Sequence, residues 1–306
     1  MSGRIELPKI VSEEKVRFFV ENGYLVLPDL VSPQEIEELK ADTVKLARGD
    51  YQCEGIQPAS PELTDEEVLQ NILCIHQPHF VSPVMEKFIR HEKICGVLSQ
   101  IVAAHLPFWD GSVKCMQSML FVKGPGMPGN PWHQDEDAIP TRDRSLCGAW
   151  IAIDDATIDN GCLWVIPASH RQGYIYGRSE HDNDDEYDYS GQSTGFDESG
   201  KIPVEVKAGT VVFFNGYLLH NSLKNRSDTY RMALVNHYMN AYSLLPWGKS
   251  DINDQTIGEA DVREIIPVAG IDPYQWKGYQ NPPQKVFLRN CKVLDKSEER
   301  QFFKKT

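Results

Sequence analysis

The chain has no long apolar run. Nothing in it approaches the roughly 18 apolar residues that a membrane-crossing helix needs, so no membrane partner is expected. The N-terminal MSGRIELPKIVSEEK lacks the basic-then-apolar layout of a secretory leader. Basic side chains are scarce: 31 Lys and Arg face 44 Asp and Glu, a net charge of −13. Such a chain repels a phosphate backbone, which excludes nucleic acid as its main partner. Cysteine is sparse and unpatterned. Cys53, Cys74, Cys95, Cys115, Cys147, Cys162 and Cys291 are odd in number and form no C-x-x-C pair. A disulfide framework and a structural zinc site both lose support, and the thiols read as reduced residues of a cytoplasmic protein.

What is present is a full-sized core. Hydrophobic residues make up 41% of the 306 and charged residues 25%, which rules out wholesale disorder. No repeat and no linker divides the chain, so residues 1–306 read as one domain in three parts. Residues 1–110 read as mostly helical. Ser12 caps a helix with Val16, Phe19 and Val20 on its apolar face, stopped at Asn22-Gly23. Tyr24 to Leu27 is a short strand. Ser32-Pro33 opens a helix towards Arg48, Thr64 to Glu67 has capping-box spacing, and Ser82-Pro83 opens a helical stretch broken near His91. Residues 111–245 change texture. Short apolar runs at Lys114–Val122, Leu146–Ile153, Gly161–Ile166, Ile202–Val206, Thr210–Phe214 and Tyr230–Met239 are punctuated by Gly, Pro, Asn and Asp, as in a barrel or sandwich. Residues 246–306 form a C-terminal arm, in which the aromatic and polar stretch from Tyr274 to Pro283 reads as a surface arm, or as a segment that closes over the site or packs on a partner subunit. The acidic segment from Ser179 to Tyr189 is either a solvated loop or a lid that disfavours anionic substrates.

Trp132-His133-Gln134-Asp135 contains a His-x-Asp. In extended chain, residues i and i+2 share a side, so His133 and Asp135 can grip one cation together. A third ligand must come from elsewhere, and His220 follows a strand-like run. Two imidazoles and one carboxylate on one face of an octahedron leave three open positions, which suits non-haem Fe(II) with a co-substrate and O2. The tripeptide alone is a weak signal in a chain with nine histidines. Arg231 strengthens it. This arginine opens an apolar strand, so its guanidinium is expected to be buried and to need an anion. A dicarboxylate would serve, and so would an internal Asp or Glu. His237 shares the strand face of Arg231 by alternation.

Three further segments resemble a known family. Gly148-Ala-Trp-Ile-Ala-Ile-Asp-Asp-Ala-Thr157, Asp159-Asn-Gly-Cys-Leu163 and Ile166-Pro-Ala-Ser-His170 closely resemble the phytanoyl-CoA dioxygenase family. The likeness runs from about Glu14 to about Tyr242 and is closest to the subgroup of phytanoyl-CoA dioxygenase domain-containing proteins. It implies a mainly β fold with flanking helices, a double-stranded β-helix (jelly-roll, cupin-like) core. It also implies an Fe(II)- and 2-oxoglutarate-dependent dioxygenase that hydroxylates a small-molecule substrate, using O2 and releasing succinate and CO2. Residue by residue, the resemblance makes His133, Asp135 and His220 the iron ligands. It makes Arg231 the anchor of the 2-oxoglutarate C5 carboxylate, with Ser222 assisting, and places Gln117 and Trp150 along the co-substrate pocket. His170 belongs to a family turn. Asp159 and Ala168 stand where relatives often carry Glu and Gly. The presence of Asp135 disfavours a halogenase. An acyl-CoA 2-hydroxylase of the same family, and a metal-binding jelly roll without oxygenase activity, are the alternatives. Oligomeric state is not legible.

Overall fold

The computed structural model describes residues 3–70, 72–244, 265–281 and 283–290. Its N-terminal helices begin and end on local chemistry. In α1 (Glu13–Asn22) the Ser12 side chain accepts from the Lys15 N–H, and Gly23 ends the helix at φ 81°. Helices α2 (Pro33–Arg48) and α3 (Asp65–Leu69) both open on complete capping boxes, Ser32 with Glu35 and Thr64 with Glu67. Helices α4 (Pro83–Ile89) and α5 (Glu92–Ile101) are separate, with His91 capping the second.

The same region also supplies two strands, β1 (Tyr24–Leu27) and β2 (Ile72–His76), so it is mixed rather than helical throughout. The run Ile72-Leu-Cys-Ile75 is buried on both faces and therefore lacks the polar alternation that marks a half-exposed strand. Next come β3 (Val113–Lys123), β4 (Asn130–His133), the one-turn helix α6 (Asp135–Ala138), β5 (Cys147–Ala152), β6 (Leu163–Val165), β7 (Arg178–Ser179) and β8 (Gln192–Ser193). After these come β9 (Ile202–Val204), β10 (Val211–Asn215), β11 (His220–Ser222), β12 (Arg231–Asn240), β13 (Ile266–Ala269) and β14 (Phe287–Asn290).

The large sheet runs β1-β10-β5-β12-β3-β2-β14, with β13 also on β3. The smaller runs β4-β11-β6-β9. Alternation along the large sheet separates two cores. Cys147, Ala149, Ile151, Val211, Phe213 and Leu234 pack towards the helices. Trp150, Ala152, Val212, Phe214, Ala233 and Val235 pack with Leu163, Val165, Val204 and Leu218 of the smaller sheet and its flanking turn. The result is a jelly roll with helices on one outer face, as the resemblance implies. The C-terminal arm is more than a surface appendage, because β13 and β14 extend the large sheet on β3 and β2. Between them the loop is exposed, with Trp276 76% accessible. Six cysteines are free thiols, while Cys291 and residues 245–264 lie outside the described residues. Among the described residues no helix is long and apolar enough to cross a membrane.

Ala168 occupies the position where the family resemblance expects glycine, and its backbone is left-handed at φ 64°. A Cβ in that region meets the following carbonyl. Ala168→Gly is therefore expected to stabilise the fold by about 0.5–1 kcal/mol. The denaturant midpoint should rise, and an unchanged or lower midpoint would contradict the strain.

Candidate metal centre

Strand pairing places the two histidines. In the antiparallel pair β4–β11, His220 lies opposite His133, and their ring centroids are 4.1 Å apart. Gly129 permits this close approach, because a Cβ there would fall 1.9 Å from the Ser222 carbonyl oxygen. Gln134 is still extended (φ −125°, ψ 127°), so Asp135 emerges on the side of His133 as the first residue of α6. Asp135 Oδ1 is 3.4 Å from His133 Nε2 and 3.7 Å from His220 Nε2. One ligand atom from each of the three residues lies within 4.8 Å of the others.

Backbone carbonyls aim the rings. His133 Nδ1–H donates to Pro131 O at 2.8 Å and His220 Nδ1–H to Leu218 O at 2.9 Å. Each proton is thereby held on Nδ1, and both Nε2 lone pairs face Asp135. Burial, with the neighbouring His133, pushes the His220 imidazole down to about 4. Burial alone would raise the Asp135 carboxyl, but His220 first, then His133 and His237, hold it well below its usual range. Three unprotonated donors converging without a proton between them fit a divalent cation. Gln134, between the two candidate ligands, points the other way. Its Nε2 donates to Tyr174 O and Tyr217 O, and its Oε1 accepts from Tyr176 N–H. The middle residue thus anchors the turn before β11 and the segment around Tyr174.

The cavity extends from this cluster to a second polar end. Arg231 at the start of β12 lies opposite Lys123 at the end of β3. Arg231 is 3% exposed and Lys123 2%. Lys123 Nζ donates to Ser222 Oγ at 2.9 Å and Leu223 O at 2.7 Å. The Arg231 guanidinium sits 5.7 Å from the Trp150 ring centroid, and its buried Nε has no hydrogen-bond partner. Neither cation has a carboxylate at ion-pair distance among the described residues. Burial pushes Arg231 down to about 10 and Lys123 well below its usual range. Of the residues that the resemblance assigned to co-substrate, Arg231, Ser222 and Trp150 line this cavity. Gln117 does not. It lies on the cavity face of β3, two residues before the lining Met119, and outside the wall itself.

The acidic segment is tied to the cavity rim. Glu186 pairs with Arg226 at 2.5 Å and Asp185 with Lys224 at 2.7 Å. Asp188 N–H donates to Gly129 O, and the Asp188 side chain, 8% exposed, lines the cavity. Arg289 of β14 holds that carboxylate at 2.9 Å. Loop and arm therefore meet at the pocket wall, a contact that charge composition could not reveal because its partners stand 101 residues apart. The contact of His237 with Asp135, 3.0 Å from Nε2 to Oδ2, was equally hidden, although strand alternation had put His237 on the right face.

A family model for phytanoyl-CoA dioxygenase (PhyH) matches residues 19–233. The chain belongs to the phytanoyl-CoA dioxygenase family. It is an oxygenase of that family, with iron as its cofactor and 2-oxoglutarate as its co-substrate. Phytanoyl-CoA dioxygenase 1 of Oryza sativa subsp. japonica is 28% identical over 272 residues, which cover 79% of this chain and 93% of that one. Phytanoyl-CoA dioxygenase of Arabidopsis thaliana is 32% identical over 163 residues, 53% of this chain and 54% of that one. Among solved structures, the non-heme alpha ketoglutarate dependent carbocyclase SnoK from nogalamycin biosynthesis superposes with a TM-score of 0.59 at 23% identity, covering 80% of this chain and 92% of SnoK. That likeness is one of fold.

Removing Arg289 strands a buried carboxylate, so Arg289→Ala should cost about 3–5 kcal/mol at neutral pH. Burial alone would raise the Asp188 carboxyl, but Arg289 and Ser190 lower it. In the intact protein its contribution is present above the unfolded carboxyl value and is lost as pH falls through the lower folded value. Without Arg289 burial dominates, the carboxyl rises, and acid relieves the penalty by protonation. The gap in urea midpoint between the two proteins should therefore narrow from neutral pH to about pH 4.5. A gap that widened on acidification would contradict the pairing.

Proposed function

We propose that this family member hydroxylates an unactivated C–H bond of a small organic substrate, with release of succinate and CO2. In this reading residues 1–306 act as one catalytic domain in a reducing cytoplasm. His133, Asp135 and His220 hold Fe(II), and bound iron supplies the O2 chemistry. Arg231 and Lys123 receive the distal carboxylate of 2-oxoglutarate. Ser222 holds Lys123 in place, and Trp150 walls the pocket beside Arg231. Gln117 stands further along the same sheet face, as a further candidate for the co-substrate pocket. The cavity's apolar walls, among them Phe214, Val235 and Leu163, keep water from the reacting carbon.

The observation that carries this reading is the pair of buried cations without an acid. An unpaired buried charge is costly, and two side by side need an anion between them. A carboxylate offers two oxygens to the guanidinium fork. Asp154, the internal acid nearest to this role, instead pairs with Lys40 at 3.4 Å and accepts the Met232 N–H. The same lining favours a small substrate over a CoA thioester. Among the described residues the cavity wall carries no Lys or Arg beyond these two, while Asp188 adds a carboxylate to it.

Anaerobic addition of Fe(II) and 2-oxoglutarate should produce a visible charge-transfer band, and O2 should then yield succinate. Arg231→Ala is expected to weaken 2-oxoglutarate binding by about 30- to 1,000-fold, the loss of roughly 2–4 kcal/mol from a buried charge pair. His133→Ala should retain no iron. A wild-type protein with neither band nor succinate would reject the assignment, and an Arg231→Ala variant with unaltered 2-oxoglutarate affinity would reject the anchor.

A further inference from the structure

Both ends of the cavity are served by one strand. Arg231, Val235 and His237 of β12 all line it, since even spacing keeps them on one sheet face. His237 lies in register with Gly148 on β5 and with Gln117 on β3. Gly148 leaves room for the Phe214 ring, which a Cβ there would meet at 2.3 Å, and a bulge follows between His237 and Tyr238. Such bulges re-aim side chains. Here the imidazole reaches the carboxylate of Asp135, with Nε2 3.0 Å from Oδ2. The other ring nitrogen, Nδ1, is buried without a partner. A proton on Nδ1 would be stranded there, so the ring's proton belongs on Nε2, where it donates to Oδ2.

The two oxygens of Asp135 therefore have different neighbours. Oδ1 faces His133 Nε2 and His220 Nε2, while Oδ2 is occupied by His237. We infer that His237 is a positioning residue. It fixes the rotation of the Asp135 carboxylate so that one oxygen alone is presented to the cation, and the space opposite stays open for co-substrate and O2. The inference rests on the metal-centre reading above and extends it from three residues to four. It also accounts for a histidine, 3% exposed, on a strand face whose other residues between it and Arg231 are the apolar Ala233 and Val235. An ordinary apolar residue would fill the space equally well, but it would leave Oδ2 free to turn towards the metal.

The test compares replacements that keep or lose the donor. The Gln amide nitrogen sits at the reach of His Nε2, the Asn nitrogen stops at the reach of Nδ1, and Phe fills the volume with no donor. Full-length wild type and the His237→Gln, His237→Asn and His237→Phe variants are titrated anaerobically with Co(II), following its visible d–d absorption. Melting curves report whether each variant is folded. Wild type and His237→Gln should bind Co(II) within a few-fold of each other and with the same spectrum. His237→Asn and His237→Phe should bind about 10- to 100-fold more weakly, the usual size of an outer-shell effect. Their weaker d–d bands would mark an added oxygen ligand. The 2-oxoglutarate KM should change less than the Co(II) affinity, because Arg231 is untouched. Equal Co(II) affinity and spectra in all four folded proteins would overturn the role of His237 while leaving the metal centre intact. If His237→Phe does not fold, the Gln-against-Asn contrast decides, since a purely structural polar residue would not separate them. A wild type that binds no Co(II) would overturn the metal-centre reading, and this inference with it.

Discussion

Two imidazoles can share one cation only when their free nitrogens face each other, and here a short antiparallel pairing enforces that. The register of β4 and β11 sets His133 against His220, and carbonyl oxygens two residues earlier in each chain segment hold both Nδ1 protons. The local backbone thus selects the tautomer as well as the ring position. Everything else in the cavity is arranged around that pair: Asp135 enters from the first turn of α6, and Gln134 fastens the surrounding segments from behind. A slip of one residue in this register would turn the two rings to opposite faces.

Charge is sorted along the same cavity. Carboxylate and imidazoles cluster at one end, while Arg231 and Lys123 stand at the other without an acid of their own. Such separation is costly in a folded interior unless a ligand with a matching distribution completes it. A keto-diacid has that distribution, with a chelating end and a distal carboxylate. Asp188 and Arg289 close the wall near Lys123 as a compensated pair, so they add order without adding net charge. The acidic composition of the chain therefore has little bearing on the character of the pocket, where the charges are few and individually placed.

Much of the fold was visible in one dimension. Helix ends at Ser12, Ser32, Thr64 and Gly23 are written in capping chemistry that acts over three or four residues. Strands β3, β5, β6, β9, β10 and β12 announce themselves by short apolar runs between turn residues, whereas β4, β7, β8 and β11 are short and mostly polar. Nor does β2 announce itself, because a strand buried on both faces has no alternation to detect. The N-terminal third consequently looked more helical than it is. The C-terminal strands were hidden for a related reason: edge strands that complete a sheet are defined by their neighbours more than by their own pattern.

In the site, residue types and spacing brought forward His133, Asp135 and Arg231 as candidates, since a metal-binding pair at i and i+2 and an arginine opening a strand are local features, and His220 joined them from a distant strand-like run; family likeness made the set specific. Family likeness added Ser222, Trp150 and Gln117, of which Gln117 lies outside the cavity wall. Composition by itself determined that this is a folded, acidic chain without a membrane-spanning helix among the described residues. Only the tertiary structure decided that Lys123 stands beside Arg231, that Arg289 reaches Asp188, and that His237 grips the second oxygen of Asp135. These contacts join residues about a hundred positions apart, and a hydrogen bond depends on distance in space, which sequence separation does not encode.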